Sequence, residues 1–279
     1  MPFLLRRIRN TISRTSLRKP VLWYRNRQWT DRDAFACEYP KSGITWLRFL
    51  LYEVLTGKPA DWVDVNRVVI DRSFAAPVLP GGGRMIPTHE PYRREYGKAI
   101  YLVRDARDVV LSEYAFQKAL GLFTGDLDAF IVAFLRGRVN GFGAWHRHVA
   151  SWLDAADAGR VNLLLVKYED MRGDPEGKLA EIVKFLGVER SVAAIRAAVE
   201  NNSLEKMRVK EDAARRLGKA PLRKMERGSA GNRFVREGKV AGWRERLTAD
   251  QVGLMERHTG SMLERLGYAR ACVDDSGGG

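Results

Sequence analysis

Ala34-Phe35-Ala36-Cys37-Glu38-Tyr39-Pro40-Lys41-Ser42-Gly43-Ile44-Thr45-Trp46 carries the reading from which the fold follows. The apolar run at 34–37 reads as a strand. The apolar pattern at 47–55, closed by Gly57, reads as a helix. A tight loop joins them. The first turn of a helix has N–H groups without intrahelical partners and lies at the positive end of the dipole, so it receives anions. Lys41 adds a mobile positive charge, and Gly43 permits close approach of backbone to an oxyanion. The stretch therefore reads as a phosphate cradle, with an unusual residue order. The common phosphate loop is G-x-x-x-x-G-K-[ST]. Here the lysine comes before the glycine.

Outward from the loop, strand-like and helical segments alternate. Residues 84–88 read as a short strand after Gly81-Gly82-Gly83. Residues 99–103 read as a strand buried on both faces and lead into a helix at 105–120. Helices follow at 127–136 and 139–156. Residues 161–166 read as the clearest buried strand. Pro175–Leu186 opens with proline in its first turn and stops at Gly187, as helices do. Further helices are expected at 191–207 and 248–266. The expected fold is α/β: a central parallel sheet flanked by helices in three layers, like that of P-loop NTPases. Ligands of such sheets bind outside the carboxyl ends of the strands. The Tyr39–Gly43 loop, His89, Arg104 and Tyr168 all stand at or just past such ends.

The net charge of +14 on 279 residues suggests an anionic partner: a nucleotide, a nucleic acid, a membrane surface or an acidic substrate. An arginine-rich proteome would produce the same excess. The two cysteines, Cys37 and Cys272, are far apart and suggest no disulfide framework, so a reducing cytoplasm is expected. No apolar stretch is long enough to cross a bilayer. Eight basic residues from Arg6 to Arg27 precede the first acid, Asp31, and no apolar core follows them, which argues against a signal peptide. Leu4, Ile8 and Ile12 recur at four-residue spacing. That pattern suits an interfacial helix on anionic lipid, and equally a solvated arm or a helix packed on the domain. We expect a basic arm over 1–30 and a domain over 31–270. Within the domain, 209–240 is rich in Lys, Arg, Glu and Gly and reads as a mobile cover over the nucleotide. A flexible tail spans 271–279.

Four elements, in order, resemble those of cytosolic-type sulfotransferases, which use 3′-phosphoadenosine 5′-phosphosulfate (PAPS). The loop with Trp46 resembles P-K-S-G-T-T-W. Arg104 to Ser112 resembles R-x-P-x-D-x-x-x-S. Lys167-Tyr168-Glu169-Asp170-Met171 resembles the Y-E-D-[ML] strand end. Phe234 to Trp243 resembles F-x-R-K-G-x-x-G-x-W. Each alone is a weak signal; four in order over most of the chain form a specific one.

The resemblance implies roles. Lys41 contacts the 5′-phosphate and the oxygen bridging to sulfur. Ser42, Gly43, Ile44 and Thr45 offer N–H groups and hydroxyls to that phosphate, and Trp46 stacks near adenine. Arg104 and Ser112 hold the 3′-phosphate, with Arg236 and Gly238 closing over it. Tyr168 faces the base, and Ser203 belongs to a stretch near adenine. Pro87-Thr88-His89-Glu90 resembles a K-T-H element whose histidine deprotonates the acceptor; Glu90 is the fallback base. Histidine titrates near neutrality and suits that task. A donor with two phosphate ends needs two separated cationic clusters, and arginine suits the bidentate one. The ordinary alternatives are an ion pair of Arg104 with Asp105 or Asp108, and core packing for Trp46. His148 either lines an acceptor pocket or packs in the core.

Four positions depart from the family pattern. Ile44 removes a hydroxyl, Pro87 and Glu237 replace lysines, and Asn202-Ser203-Leu204 lacks an aromatic. Lys239 is placed to compensate for Glu237. The expected reaction is in-line transfer of a sulfuryl group from PAPS to an acceptor hydroxyl, on a small molecule, glycan or glycolipid. The product nucleotide is 3′-phosphoadenosine 5′-phosphate (PAP), and no metal is implied. The partner expectations include peripheral contact of residues 1–27 with anionic membrane, no specific nucleic acid, and room for a homodimer. Two other classes compete. A P-loop nucleotide kinase would show G-x-x-x-x-G-K-[ST] and an acidic strand end for magnesium. A basic nucleic-acid or membrane-binding module would show steeply salt-dependent binding and would leave the ordered motifs unexplained.

Overall fold

The computed structural model describes residues 20, 24, 29–69, 75–217 and 238–271. Most of the basic arm, 218–237 of the expected cover (with Arg236 and Glu237) and residues 272–279 (with Cys272) therefore lie outside the described residues. Five strands form one sheet: β1 (Ala34–Glu38), β2 (Pro77–Leu79), β3 (Gly83–Thr88), β4 (Lys98–Val103) and β5 (Asn162–Lys167). Their order is β2-β3-β1-β4-β5. Only the β2–β3 hairpin is antiparallel; β3–β1, β1–β4 and β4–β5 are parallel.

Ten α-helices are described. They are α1 (Ile44–Thr56), α2 (Trp62–Val68), α3 (Ala106–Ala119), α4 (Leu127–Leu135), α5 (Trp145–Asp157), α6 (Tyr168–Gly173), α7 (Pro175–Leu186), α8 (Val192–Asn201), α9 (Leu204–Arg216) and α10 (Ala249–Arg265). Alternate side chains of each central strand enter opposite cores, as the period of two requires. Phe35, Cys37, Tyr101 and Val103 pack with Val109 of α3, Phe130 of α4, Trp152 of α5 and Met255 of α10. Ala34, Ala36, Ile100 and Leu102 pack with Leu47 and Leu50 of α1, Leu179 of α7 and Ile195 of α8. The result is the expected three-layer α/β fold. Cys37 is fully buried, which raises its thiol pKa well above the usual value. Among the described residues, no helix is long and apolar enough to cross a membrane.

Four expectations need correction. The run at 161–166 is not a strand buried on both faces: β5 closes the sheet edge, and Leu165 is 37% exposed. The helix expected over 139–156 begins at Trp145, because Gly143 adopts φ 86° just before it. The helix expected over 191–207 is two helices. Ser203 leaves helical geometry and caps α9, its Oγ accepting from Lys206 N at 3.4 Å. Finally, residues 209–216 are not an irregular stretch: they complete α9, which runs on to Arg216. Strand β2, too short to stand out in the sequence, completes the opposite edge.

Candidate active site

Parallel register assembles the site. Cys37 pairs with Thr88, Glu38 with Leu102, and Val103 with Lys167. The next residue along each strand is Glu38 or Tyr39, His89, Arg104 and Tyr168, so all emerge along one sheet edge. The loop after β1 turns sharply, with Lys41 at φ 77° and Gly43 at φ 118°. Ser42 is buried and turned inward, its N and Oγ both donating to Tyr39 O, at 3.2 and 2.9 Å.

Gly43 has a reason beyond approach to a ligand. A Cβ there would lie 2.7 Å from Tyr168 Cδ2, so the glycine seats the loop against that ring. Gly43→Ala combines this clash with a left-handed backbone costing about 1–3 kcal/mol. We expect PAP affinity to fall by about tenfold or more, corresponding to about 1.4 kcal/mol per decade. Titration calorimetry checks it, and wild-type affinity in the variant would contradict this use of Gly43.

Tyr168 is the hub of one end of the site. The Trp46 ring meets it edge-on at 6.2 Å, the Arg104 guanidinium lies 4.5 Å over it, and a Cβ on Gly238 would approach its Oη at 3.3 Å. Trp46 Nε1 donates to Asn202 O at 2.9 Å, while Arg172 covers the indole at 5.6 Å. Arg104 donates to Lys239 O at 2.9 Å and lies 3.6 Å from Asp108 Oδ2. The ion pair weighed in the sequence thus exists, and it coexists with the cationic cluster. Asp108 also accepts from Ala241 N and Trp243 N, both at 3.0 Å. It thereby ties the 238–243 segment to the start of α3. Ser112 is buried on that helix. Lys239, expected to compensate for Glu237, pairs its Nζ with Glu245 Oε2 at 2.5 Å on the surface.

Lys41 and His89 mark the other end. Lys41 Nζ lies 4.2 Å over the Phe116 ring of α3. His89 faces Phe142 at 5.6 Å between ring centres, and its Nδ1 lies 3.5 Å from Glu38 Oε1. The side chain is 40% exposed, but Nδ1 itself is covered. Burial of that nitrogen pulls the imidazole down to about 4, and the exposed part of the ring works against so large a shift. His148 does not line a pocket. It is buried, and its Nε2 donates to His89 O at 3.0 Å while Nδ1 accepts from Tyr101 Oη at 2.8 Å. It holds the backbone that carries His89. Glu90 is buried with its Oε2 3.2 Å from Arg93 Nη2 and its carbonyl accepting from Trp152 Nε1.

Glu38 is the residue the sequence reading missed. It is 2% exposed, and its Oε2 accepts from Ile44 N at 2.6 Å. Burial raises its carboxyl to about 8, against the lowering effect of the Ile44 and Lys41 N–H groups and the Lys41 charge. The Ile44 N–H, expected at the phosphate, donates here to Glu38. Thr45 and Trp46 still present first-turn N–H groups. The signal was legible: one acid ends an otherwise apolar strand immediately before a phosphate loop. The first N–H of the cradle is thus turned onto a carboxyl group of its own strand. Among the described residues, no group of His, Cys, Asp and Glu is arranged to hold a metal ion.

With this geometry in hand, comparison with known proteins is informative. A model of the sulfotransferase domain matches residues 84–267. Mouse sulfotransferase 2A1 is 27% identical over 243 residues, spanning 81% of this chain and 82% of the relative. A solved structure of retinol dehydratase with androsterone and inactive cofactor PAP superposes with a TM-score of 0.66. It is 21% identical and covers 87% of this chain and 83% of the other. Mouse sulfotransferase SULT7A1 complexed with PAP also gives 0.66, at 22% identity, covering 91% and 95%. These last two likenesses establish the shared fold.

Proposed function

The chain belongs to the sulfotransferase domain family, and we propose that it transfers a sulfuryl group from PAPS to an acceptor hydroxyl in line with the departing phosphate. The donor brings an activated sulfur whose leaving group is a phosphate. The chain's own residues do the rest. Lys41 and the first-turn N–H groups of α1 meet the 5′-phosphate and stabilise charge as it leaves, usually the dominant electrostatic contribution. Arg104, Ser112 and Gly238 form the 3′-phosphate end, to which the family resemblance adds Arg236, outside the described residues; Trp46, Tyr168 and Ser203 border the base. His89 accepts the acceptor's proton.

The observation that carries this reading is the register that sets the Lys41 loop and His89 at one end of a sheet edge and Arg104 with Tyr168 at the other. Two cationic groups at a fixed separation suit a ligand with two phosphate ends. The acceptor class, whether small molecule, glycan or glycolipid, follows from the hydroxyl chemistry and goes no finer. The retinol dehydratase and mouse SULT7A1 structures were solved with PAP, which supports the donor assignment.

The test supplies PAPS with a panel of alcohols, phenols and glycans and follows PAP release. In parallel, PAP binding is compared with ATP binding. Lys41→Ala and Arg104→Ala are each expected to weaken PAP binding by about 10- to 100-fold, the usual effect of losing one charge-assisted phosphate contact. Equal affinity for PAP and ATP would overturn the 3′-phosphate assignment.

A further inference from the structure

We propose that Glu38 is a positioning residue for His89, its Oε1 holding the imidazole in the tautomer whose Nε2 takes the acceptor's proton. This role presupposes the transfer chemistry proposed above. Three observations meet at this carboxyl group. Parallel register sets it one step past the Cys37–Thr88 pair, directly beside His89. Its two oxygens have separate duties: Oε2 accepts from Ile44 N at 2.6 Å, and Oε1 lies 3.5 Å from His89 Nδ1. The group is also almost wholly buried, so its place is not shared with solvent.

The division of oxygens makes a switch. With Glu38 ionised, Oε1 accepts from Nδ1–H and leaves the Nε2 lone pair free. The acceptor's proton then moves to Nε2. The acceptor oxygen's electron pair forms the new O–S bond, the S–O bond to the leaving phosphate breaks, and that pair stays on the phosphate oxygen. The imidazolium so formed lies against the Glu38 carboxylate. With Glu38 protonated, Oε2 is still occupied by the Ile44 N–H, so the acid proton sits on Oε1. It points at Nδ1, which must now accept, and the ring proton moves to Nε2. The base is then blocked. Glu38 also links the phosphate loop to the base through one side chain, because Ile44 opens α1.

Other groups act on this pair from every side. The Lys41 charge acts on Glu38 from the loop, as does Glu113 from α3. The Tyr101 hydroxyl on β4 feels the same carboxyl. The Glu38 backbone hydrogen-bonds the His89 ring, Arg48 of α1 and Lys41 act on it, and His148 of α5 faces it. Burial places the Glu38 step at about 8. With a folded value raised above that of a free carboxyl, the blocked form fills as pH falls through that value.

The experiment measures kcat at saturating PAPS with an aliphatic alcohol that does not itself ionise. Wild type is expected to gain about 30-fold between about pH 6.5 and about pH 9, with a single-proton midpoint near 8. Glu38→Gln keeps the volume and an acceptor oxygen but lacks the proton, so its profile is expected to be flat over that range. PAP affinity at both pH values separates any effect on the donor. A variant retaining the wild-type midpoint overturns the proposal. A second measurement needs no Glu38 variant. Nitrogen-15 spectra of histidine-labelled wild type, with His89 assigned by difference from His89→Asn, are expected to show Nδ1–H above about pH 9 and Nε2–H below about pH 7. Nε2–H throughout overturns it. Absence of any transfer from PAPS would instead refute the proposed function, leaving the spectroscopic result to decide the role of Glu38.

Discussion

A His89→Asn variant is expected to turn over about 10²- to 10⁴-fold more slowly than wild type with PAPS and any shared acceptor, the usual contribution of a positioned base. Its PAP affinity should change by no more than about twofold, because the ring stands at the acceptor side of the loop and contributes no charge to either phosphate end. The loss therefore falls on kcat and not on donor binding. The ring is held from three directions. Glu38 faces Nδ1 at 3.5 Å, Phe142 covers one face, and His148 fixes the His89 carbonyl from the core. Such support is what a base needs to stay within reach of one proton. Steady-state kinetics with calorimetric PAP titration decide the matter. If His89→Asn keeps wild-type turnover and Glu90→Gln loses it, the base is Glu90, despite its anchorage to Arg93.

The second large effect concerns stability. Arg107 is 1% exposed and lies on α3, four residues past the end of β4. Its guanidinium reaches Asp105 Oδ2 at 2.6 Å, Glu256 Oε1 at 2.5 Å and Ala269 O at 2.9 Å, and lies 3.9 Å over the Trp243 ring. Arg107→Met keeps most of the volume but removes the cation shared by two buried carboxylates, leaving Glu256 with Arg270 at 3.7 Å and the Ala271 N–H at 2.8 Å. Breaking a buried pair by removing one partner costs about 3–5 kcal/mol. For a domain of this size each kcal/mol lowers Tm by about 2–4 °C, so a fall of about 6–20 °C is expected in calorimetry. Adding Asp105→Asn and Glu256→Gln to Arg107→Met removes both carboxylate charges and should restore much of the loss. A single variant melting within about 2 °C of wild type would show that water or rearrangement compensates the carboxylates. The same variant loosens Trp243, whose N–H is held by Asp108, and so reaches the segment that carries Gly238 toward Tyr168.

Some elements were legible from local chemistry alone. Pro175–Leu186 was bounded correctly because proline opens it and Gly187, at φ 74°, closes it. Helix α10 begins where Thr248 and Gln251 form a reciprocal capping box, close to the boundary read from the sequence. Errors arose where tertiary context overrode a local pattern. Residues 161–166 are as apolar as a central strand, but pairing left them at an edge. A continuous apolar periodicity hid the break at Asn202-Ser203, where the Asn202 side chain is drawn into hydrogen bonds with Glu53 of α1 and with Ala198. Glu38 and Arg107 escaped the sequence reading, and the choice between pocket and core for His148 stayed open there, for one reason. Each acts on a residue that is distant in the chain or that meets it only through folding.

The order of residues along the chain was enough to specify the α/β alternation, the phosphate loop and the family of the reaction. Those features depend on neighbours within a turn of helix or a few strand residues, where spacing dictates geometry. It was also enough to name Lys41, His89, Arg104 and Tyr168, because each lies just past the end of a strand. Folding alone decided which atoms oppose one another across strands: Oε1 of Glu38 against Nδ1 of His89, Tyr168 beneath Gly43, and Asp108 clasping residues 241–243. Parallel strands are paired through long connections. Their register is settled by the burial of whole faces in two cores, and no short-range spacing encodes it.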